Sequence, residues 1–290
     1  MIAPRRRHTL SLPDGRILEL GARTLLMGII NVTPDSFADG GACLDPARAL
    51  DAAMALEAAG ADLLDVGGES TRPGADPLPA DVECARVLPV LDALAGRIRV
   101  PVSIDTYKAD VARRALAAGA SIVNDVSALR YDPAIARVAA AAGAPLVLMH
   151  SRGRSRAMYR EAQYADVAAE VTRELASAVR AATAAGVARS QIVVDPGLGF
   201  AKRAEQTLEL LGRLQAVSAL GRPVLIGPSR KSFLTAAIGE CPPSEREWGT
   251  ASAVAAAVIL GAHIVRVHAV TPHVDVVRVA DSIRAHAMPQ

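Results

Sequence analysis

Residues 100–124 read VPVSIDTYKADVARRALAAGASIVN, and the fold turns on how they are parsed. An apolar run, Val100–Ile104, stops at Asp105; an Ala-rich segment of helical character follows over Lys108–Ala118; a second run, Ile122–Val123, stops at Asn124. The runs are rich in Val and Ile without strict alternation, as expected of parallel strands buried on both faces. The segment between them has the amphipathic pattern of a crossover helix.

The alternation continues in both directions. Further apolar runs lie at Leu25–Ile30, Leu63–Val66, Pro145–Met149, Ile192–Val194, Pro223–Ile226 and Ile264–Val267, which makes eight. The segments between them are again Ala-rich and amphipathic, as in Pro46–Ala59 and Asp166–Ala185. Asp45-Pro46 and Asp132-Pro133 each set a capping carboxylate before a proline suited to a first helical turn. Eight β/α repeats in about 260 residues fit an α/β protein of the TIM (β/α)8 barrel type, with a doubly wound open sheet as runner-up. His8 to Leu20 reads as a β-hairpin turning at Pro13-Asp14-Gly15. The expected organisation is a hairpin extension over residues 1–22, closing the floor of a single barrel over residues 23–290.

Composition removes several function classes. The chain has 290 residues, 51 % of them hydrophobic and 21 % charged, so global disorder is excluded. A net charge of +2 gives no basic field for nucleic acid. Arg5 to Arg7 imitates the start of a signal peptide, but Pro13, Asp14 and Gly15 interrupt the next stretch before an apolar core can form. Ala253–Leu260, the longest apolar helix candidate, is far short of the ~20 residues of a membrane span. Cys43, Cys84 and Cys241 are odd in number and widely spaced, which reads as reduced thiols of a cytoplasmic protein. Only three residues are lysine (108, 202, 231) and three phenylalanine (37, 200, 233), so their placement is informative.

The run ends carry the functional signal. They meet Asn31, Asp65, Asp105, Asn124, His150, Asp195, Gly227 and then Arg266 and His268. Any one could be a turn former or helix cap. Together they would converge at the C-terminal mouth of a barrel, where TIM-barrel active sites lie. The pattern is that of an enzyme.

Seven segments at these ends sharpen the reading. They are residues 31–41 (NVTPDSFADGG), 65–74 (DVGGESTRPG), 103–106 (SIDT), 124–127 (NDVS), 195–202 (DPGLGFAK), 227–233 (GPSRKSF) and 266–268 (RVH). In this order they resemble the dihydropteroate synthase family over roughly residues 27–280. The resemblance implies a TIM barrel, usually a homodimer, that joins 6-hydroxymethyl-7,8-dihydropterin diphosphate to p-aminobenzoate. The products would be 7,8-dihydropteroate and pyrophosphate, in folate biosynthesis, and sulfonamides would mimic the aminobenzoate.

The resemblance assigns Asp195, Asn124, Asp105 and Lys231 to the pterin ring, whose edge offers N–H donors to carboxylates and acceptors to an ammonium. It assigns Asn31, Arg72, Arg266 and His268 to the diphosphate. Arg266 and His268, two residues apart, would share one strand face. Asn31 would also contact a Mg²⁺ arriving with the diphosphate, since nothing in the sequence resembles a metal cage. Phe37, Pro73 and Phe200 would wall the aminobenzoate ring, with Thr71 and Ser232 near its carboxylate. Ser232 is expected to open a helix whose dipole favours an anion. The catalytic set is Asp35, Arg72, Asp105, Lys231, Arg266 and His268, with Asp35 and Ser36 completing the site on loop closure. An SN1-like loss of diphosphate fits the absence of a covalent nucleophile.

The remaining expectations concern support. Phe233 is expected in the core, Lys202 beside the aminobenzoate slot, Arg230 holding the lid loops and Lys108 solvated in a first helical turn. His150, followed by Ser-Arg-Gly-Arg where relatives carry Met-Gln-Gly, is expected to be structural. Ala269 stands where Asp is common, which leaves the orientation of His268 open. Thr250 to Gly261 is apolar nearly all round, so a partner subunit is expected on one side. Two alternatives stay open: a corrinoid-linked pterin methyltransferase, and a non-catalytic pterin-binding paralogue.

Overall fold

The computed structural model describes residues 4–33, 45–70, 74–153, 160 and 162–287. The strands are β1 (His8–Ser11), β2 (Ile17–Leu20), β3 (Leu25–Asn31), β4 (Leu63–Gly67), β5 (Val102–Asp105), β6 (Ile122–Asp125), β7 (Leu146–Met149), β8 (Ile192–Asp195), β9 (Leu225–Ile226) and β10 (Ile264–Val267). The helices are α1 (Pro46–Ala58), α2 (Ala80–Leu94), α3 (Ala109–Ala117), α4 (Ala134–Ala142), α5 (Val167–Ala184), α6 (Ala204–Gly212), α7 (Gln215–Ser218), α8 (Thr235–Ile238), α9 (Glu247–Ile259) and α10 (Val270–His286).

Strands β3 to β10 pair in parallel in the order β8-β7-β6-β5-β4-β3-β10-β9. A bridge between Val194 and Val224 brings β8 to β9, and Val194 N–H donates to Pro223 O at 2.9 Å, closing the barrel. The apolar runs become strands with three ends trimmed at prolines, Pro145 being left out of β7. Pro101 and Pro223 lack an N–H for the ladder, so β5 starts at Val102 and β9 at Leu225. Their carbonyls still accept, Pro101 O from Leu64 N–H at 3.0 Å.

Parity along each strand separates two cores. Leu64, Val66, Ile104 and Val123 point outward against the helices. Met27, Leu63, Ile122, Val147, Val193, Leu225 and Ile264 fill the barrel's lower interior. Leu10, Leu12 and Leu20 of the β1–β2 hairpin pack on this inner cluster, so the hairpin plugs the floor. Above that plug, the inward positions turn polar. Helix starts follow local chemistry: Asp45 accepts from Ala47 N–H at 2.9 Å ahead of Pro46, and Asp132 from Ala134 N–H at 3.0 Å.

Candidate active site

The parity that puts Leu63 in the floor puts Asp65 above it on the same inner face, and Ile264 does the same for Arg266. Asp65 is fully buried. Its Oδ2 accepts from Arg266 Nε at 2.6 Å and from Asn124 Nδ2 at 3.0 Å. Arg266 Nη2 donates to Asp105 Oδ2 at 2.8 Å. One guanidinium thus reaches from β10 across β3 to carboxylates on β4 and β5.

Charge balance follows from this packing. Burial pushes Asp105 up to about 7; Arg266 opposes the rise and the neighbouring Asp65 adds to it. Burial opposes the charge on Arg266, yet the two carboxylates more than offset it and keep the guanidinium protonated.

Across the mouth, Asp195 ends β8. Its Oδ1 accepts from Gly197 N–H at 2.7 Å. Gly197 has a φ of +66°, and a Cβ there would sit 2.0 Å from His150 O, so this turn requires glycine. Asp195 is therefore both turn former and mouth carboxylate. Burial raises its pKa, against the pull of Lys231. Lys231 Nζ donates to Leu198 O at 2.6 Å and lies 4.4 Å from the centre of the Phe200 ring. Burial brings this ammonium down to about 8, Asp195 opposing. Asn31, at the top of β3, pairs in register with Gly67 of β4.

The barrel mouth therefore gathers Asn31, Asp105, Asn124, Asp195, Phe200, Lys231, Arg266 and His268. Asp35, Ser36, Phe37, Thr71, Arg72 and Pro73 lie outside the described residues.

Two expectations need correction, at Ser232 and Lys108. Ser232 is exposed and opens a three-residue 3-10 turn, Ser232–Leu234, followed by the four-residue α8; Gly239 ends it, so no full helix points its dipole here. Lys202 is buried beneath Phe200. Its Nζ lies within hydrogen-bond distance of Phe200 O at 2.9 Å, Gly197 O at 3.0 Å, His150 Nδ1 at 3.0 Å and His150 O at 3.4 Å. Lys108 is not solvated but ion-paired with Glu69 and Glu83. Arg230 is tied to α9, its Nε meeting Glu247 at 3.0 Å and its backbone N–H meeting Thr250 Oγ1 at 3.0 Å, while loop residues 34–41 and 71–73 lie outside the described residues. Phe233 is in the core as expected, only 3 % exposed.

His150 is buried and structural. Nδ1 accepts from Lys202, so Nε2–H donates to Glu174 at 3.0 Å. Burial lowers this histidine to about 3.

Two residues have roles that sequence reasoning missed. Asp65 stands out in the sequence only as a run-end carboxylate, although the spacing Leu63, Asp65, Gly67 carries the same parity signal as Arg266 and His268. Ser229 is the other. Its Oγ accepts from His268 N–H at 3.2 Å and lies within hydrogen-bond distance of His268 Nδ1 at 2.9 Å. Ser229 thus orients His268 with Ala269 beside it.

Comparison with known proteins adds the family. Residues 27–268 match the pterin binding enzyme family. A dihydropteroate synthase of Synechocystis is 44 % identical over 273 residues, 94 % of each chain. Dihydropteroate synthase of Xanthomonas albilineans, solved with 4-aminobenzoic acid, superposes with a TM-score of 0.89 at 40 % identity, covering 98 % of this chain and 100 % of that one. The same enzyme in complex with 7,8-dihydropteroate gives 0.85 at 39 % identity, covering 97 % and 100 %.

Proposed function

The chain belongs to the pterin-binding enzymes, and among them to the dihydropteroate synthases, and on that premise we propose how its own residues run the reaction. The substrates are 6-hydroxymethyl-7,8-dihydropterin diphosphate and p-aminobenzoate, the products 7,8-dihydropteroate and pyrophosphate. The observation that carries this reading is the group of Asp105, Asn124, Asp195, Lys231 and Arg266 at one barrel mouth, with Arg266 ion-paired to two carboxylates.

Asp195 accepts the N–H donors of the pterin's amide-like edge, and Lys231 donates to its carbonyl side. Asn124 and Asp105 take the rest of the ring. Arg266 and His268, with Arg72, hold the diphosphate. The C–O bond from the pterin's CH₂ to diphosphate breaks first, and the electron pair leaves with the phosphate. The amine then forms the C–N bond and sheds a proton. Asp105 opposes the positive charge that builds on the ring, so stabilisation comes from placed charge rather than a covalent nucleophile. Asp35 and Ser36 exclude water from the cation on closure. Phe37, Pro73 and Phe200 wall the aminobenzoate, with Thr71 and Ser232 at its carboxylate, Ser232 as a hydroxyl donor without a helix dipole behind it.

A Mg²⁺ fits as a companion of the substrate. Asn31 offers one neutral oxygen, and among the described residues no cluster of three His, Cys, Asp or Glu side chains could hold a metal. Such an ion would neutralise phosphate charge when bound. We place the enzyme in the cytoplasm, as Cys84 and Cys241 are free thiols. We also propose a homodimer across α9 and α10, where Trp248, Val279 and Ile283 are exposed.

Asp105→Ala tests the assignment: folding should be retained and turnover fall by roughly 100-fold or more. Near-normal activity would reject Asp105 as the charge-stabilising group.

A further inference from the structure

The most burdened residue of the mouth is one that no role above requires to touch substrate. Asp65 has no solvent exposure, and a single oxygen, Oδ2, receives both the Arg266 and the Asn124 hydrogen bonds. Its Oδ1 is also buried and has no hydrogen-bond partner among the described residues. A buried carboxylate with an unpaired oxygen is costly, and only its charge-assisted bonds offset that cost. What those bonds do is orient. A carboxylate can only accept, so the Asn124 amide must turn its nitrogen toward Asp65, which sends Oδ1 of Asn124 the other way. The Nε of Arg266, held by Asp65, and its Nη2, held by Asp105, lie at different corners of the guanidinium, so the two bonds fix its plane.

We propose that Asp65 is a positioning residue for pterin recognition, holding Arg266 and Asn124 in the orientations in which they meet the substrate. The inference rests on the proposed roles of those two residues. Among the described residues Asp65 makes no hydrogen bond or ion pair with Phe200 or Ser232 of the aminobenzoate side. Its loss should therefore separate the two substrates, as a general weakening of the barrel would not.

The test is steady-state kinetics of Asp65→Asn, which keeps the shape but removes the charge, and of Asp65→Ser, which leaves no competing amide. In both, KM for the pterin diphosphate should rise roughly tenfold or more, the scale of a lost hydrogen bond to a charged group, while KM for p-aminobenzoate stays within about twofold. In an Asn124→Ala/Arg266→Gln background, Asp65→Asn should add less than about twofold, because the residues it acts through are gone. Equal rises in both KM values, or an undiminished effect in that background, would overturn the proposal. So would loss of cooperative unfolding in both Asp65 variants, which would assign the carboxylate to folding. If Asn124→Ala and Arg266→Gln themselves leave the pterin KM unchanged, the underlying site reading fails instead.

Discussion

Arg266 shows what one residue can and cannot reveal from its place in the chain. Its two-residue spacing from His268 and its position after an apolar run are enough to set it at the barrel mouth. Its partners are not legible, because Asp65 and Asp105 are about 160 to 200 positions away and meet it only once the sheet closes. Lys108 misleads for the same reason: a lone lysine is usually solvated, and only tertiary structure supplies Glu69 and Glu83. On the pterin roles proposed for Asp105 and Lys231, these charges should make binding pH-dependent. Asp105, raised to about 7 by burial with Arg266 opposing and Asp65, Glu83 and Asp125 adding, accepts best when ionised. Lys231, lowered to about 8 by burial, Arg266 adding and Asp195 and Asp105 opposing, donates best when protonated. Affinity for 6-hydroxymethyl-7,8-dihydropterin, which lacks the titrating diphosphate, should fall below about pH 7 and again above about pH 8 in calorimetry. A flat profile from pH 6 to 9 would refute this pairing of charge states. Ser229→Ala should raise KM for the pterin diphosphate by roughly fivefold, through a released His268, and leave binding of the ring alone unchanged.

At the scale of elements, strands and helices are the most readable part of the chain, because apolar runs and amphipathic segments report burial directly. Departures come where backbone chemistry decides: Pro101 and Pro223 shorten β5 and β9, and Gly239 ends α8 after four residues. The loop after β7 is tied to α5 by a network that the sequence does not announce. Glu174 of α5 accepts from His150 and pairs with Arg130 and Arg152. Burial holds His150 down at about 3, below its unfolded value of about 6.5, so the native state resists a proton that the unfolded chain accepts. His150 and Arg152 hold Glu174 below the ordinary carboxylate range despite burial, so its contribution is present at neutral pH and lost on acidification. Both signs agree. Thermal stability should decline as pH falls below about 6.5 and steepen below about 4.5, and His150→Gln should flatten the upper part of that decline. A midpoint unchanged between pH 7 and 4 would contradict the network.

For the whole molecule, the apolar plug below and the polar mouth above divide the barrel interior into a stability half and a chemistry half. That division is foreseeable from eight runs each ending in a polar residue or glycine, whereas the proposed subunit surface draws on the structure as well. The apolar circumference of residues 250–261 points to α9, and the exposed Val279 and Ile283 extend the patch onto α10. Light scattering should give twice the 30.1 kDa chain mass, and Val279→Asp/Ile283→Asp should return it to one chain. A monomer at micromolar concentration would reject the interface.

On the proposal above, this mouth makes pyrophosphate by joining two specific substrates. The direct measurement is pyrophosphate release by the purified protein, with each substrate supplied alone and then together. Rapid release should require both 6-hydroxymethyl-7,8-dihydropterin diphosphate and p-aminobenzoate, match 7,8-dihydropteroate formed one to one, and fall sharply in Arg266→Gln. Release that ignores p-aminobenzoate, or none with both present, would contradict the account.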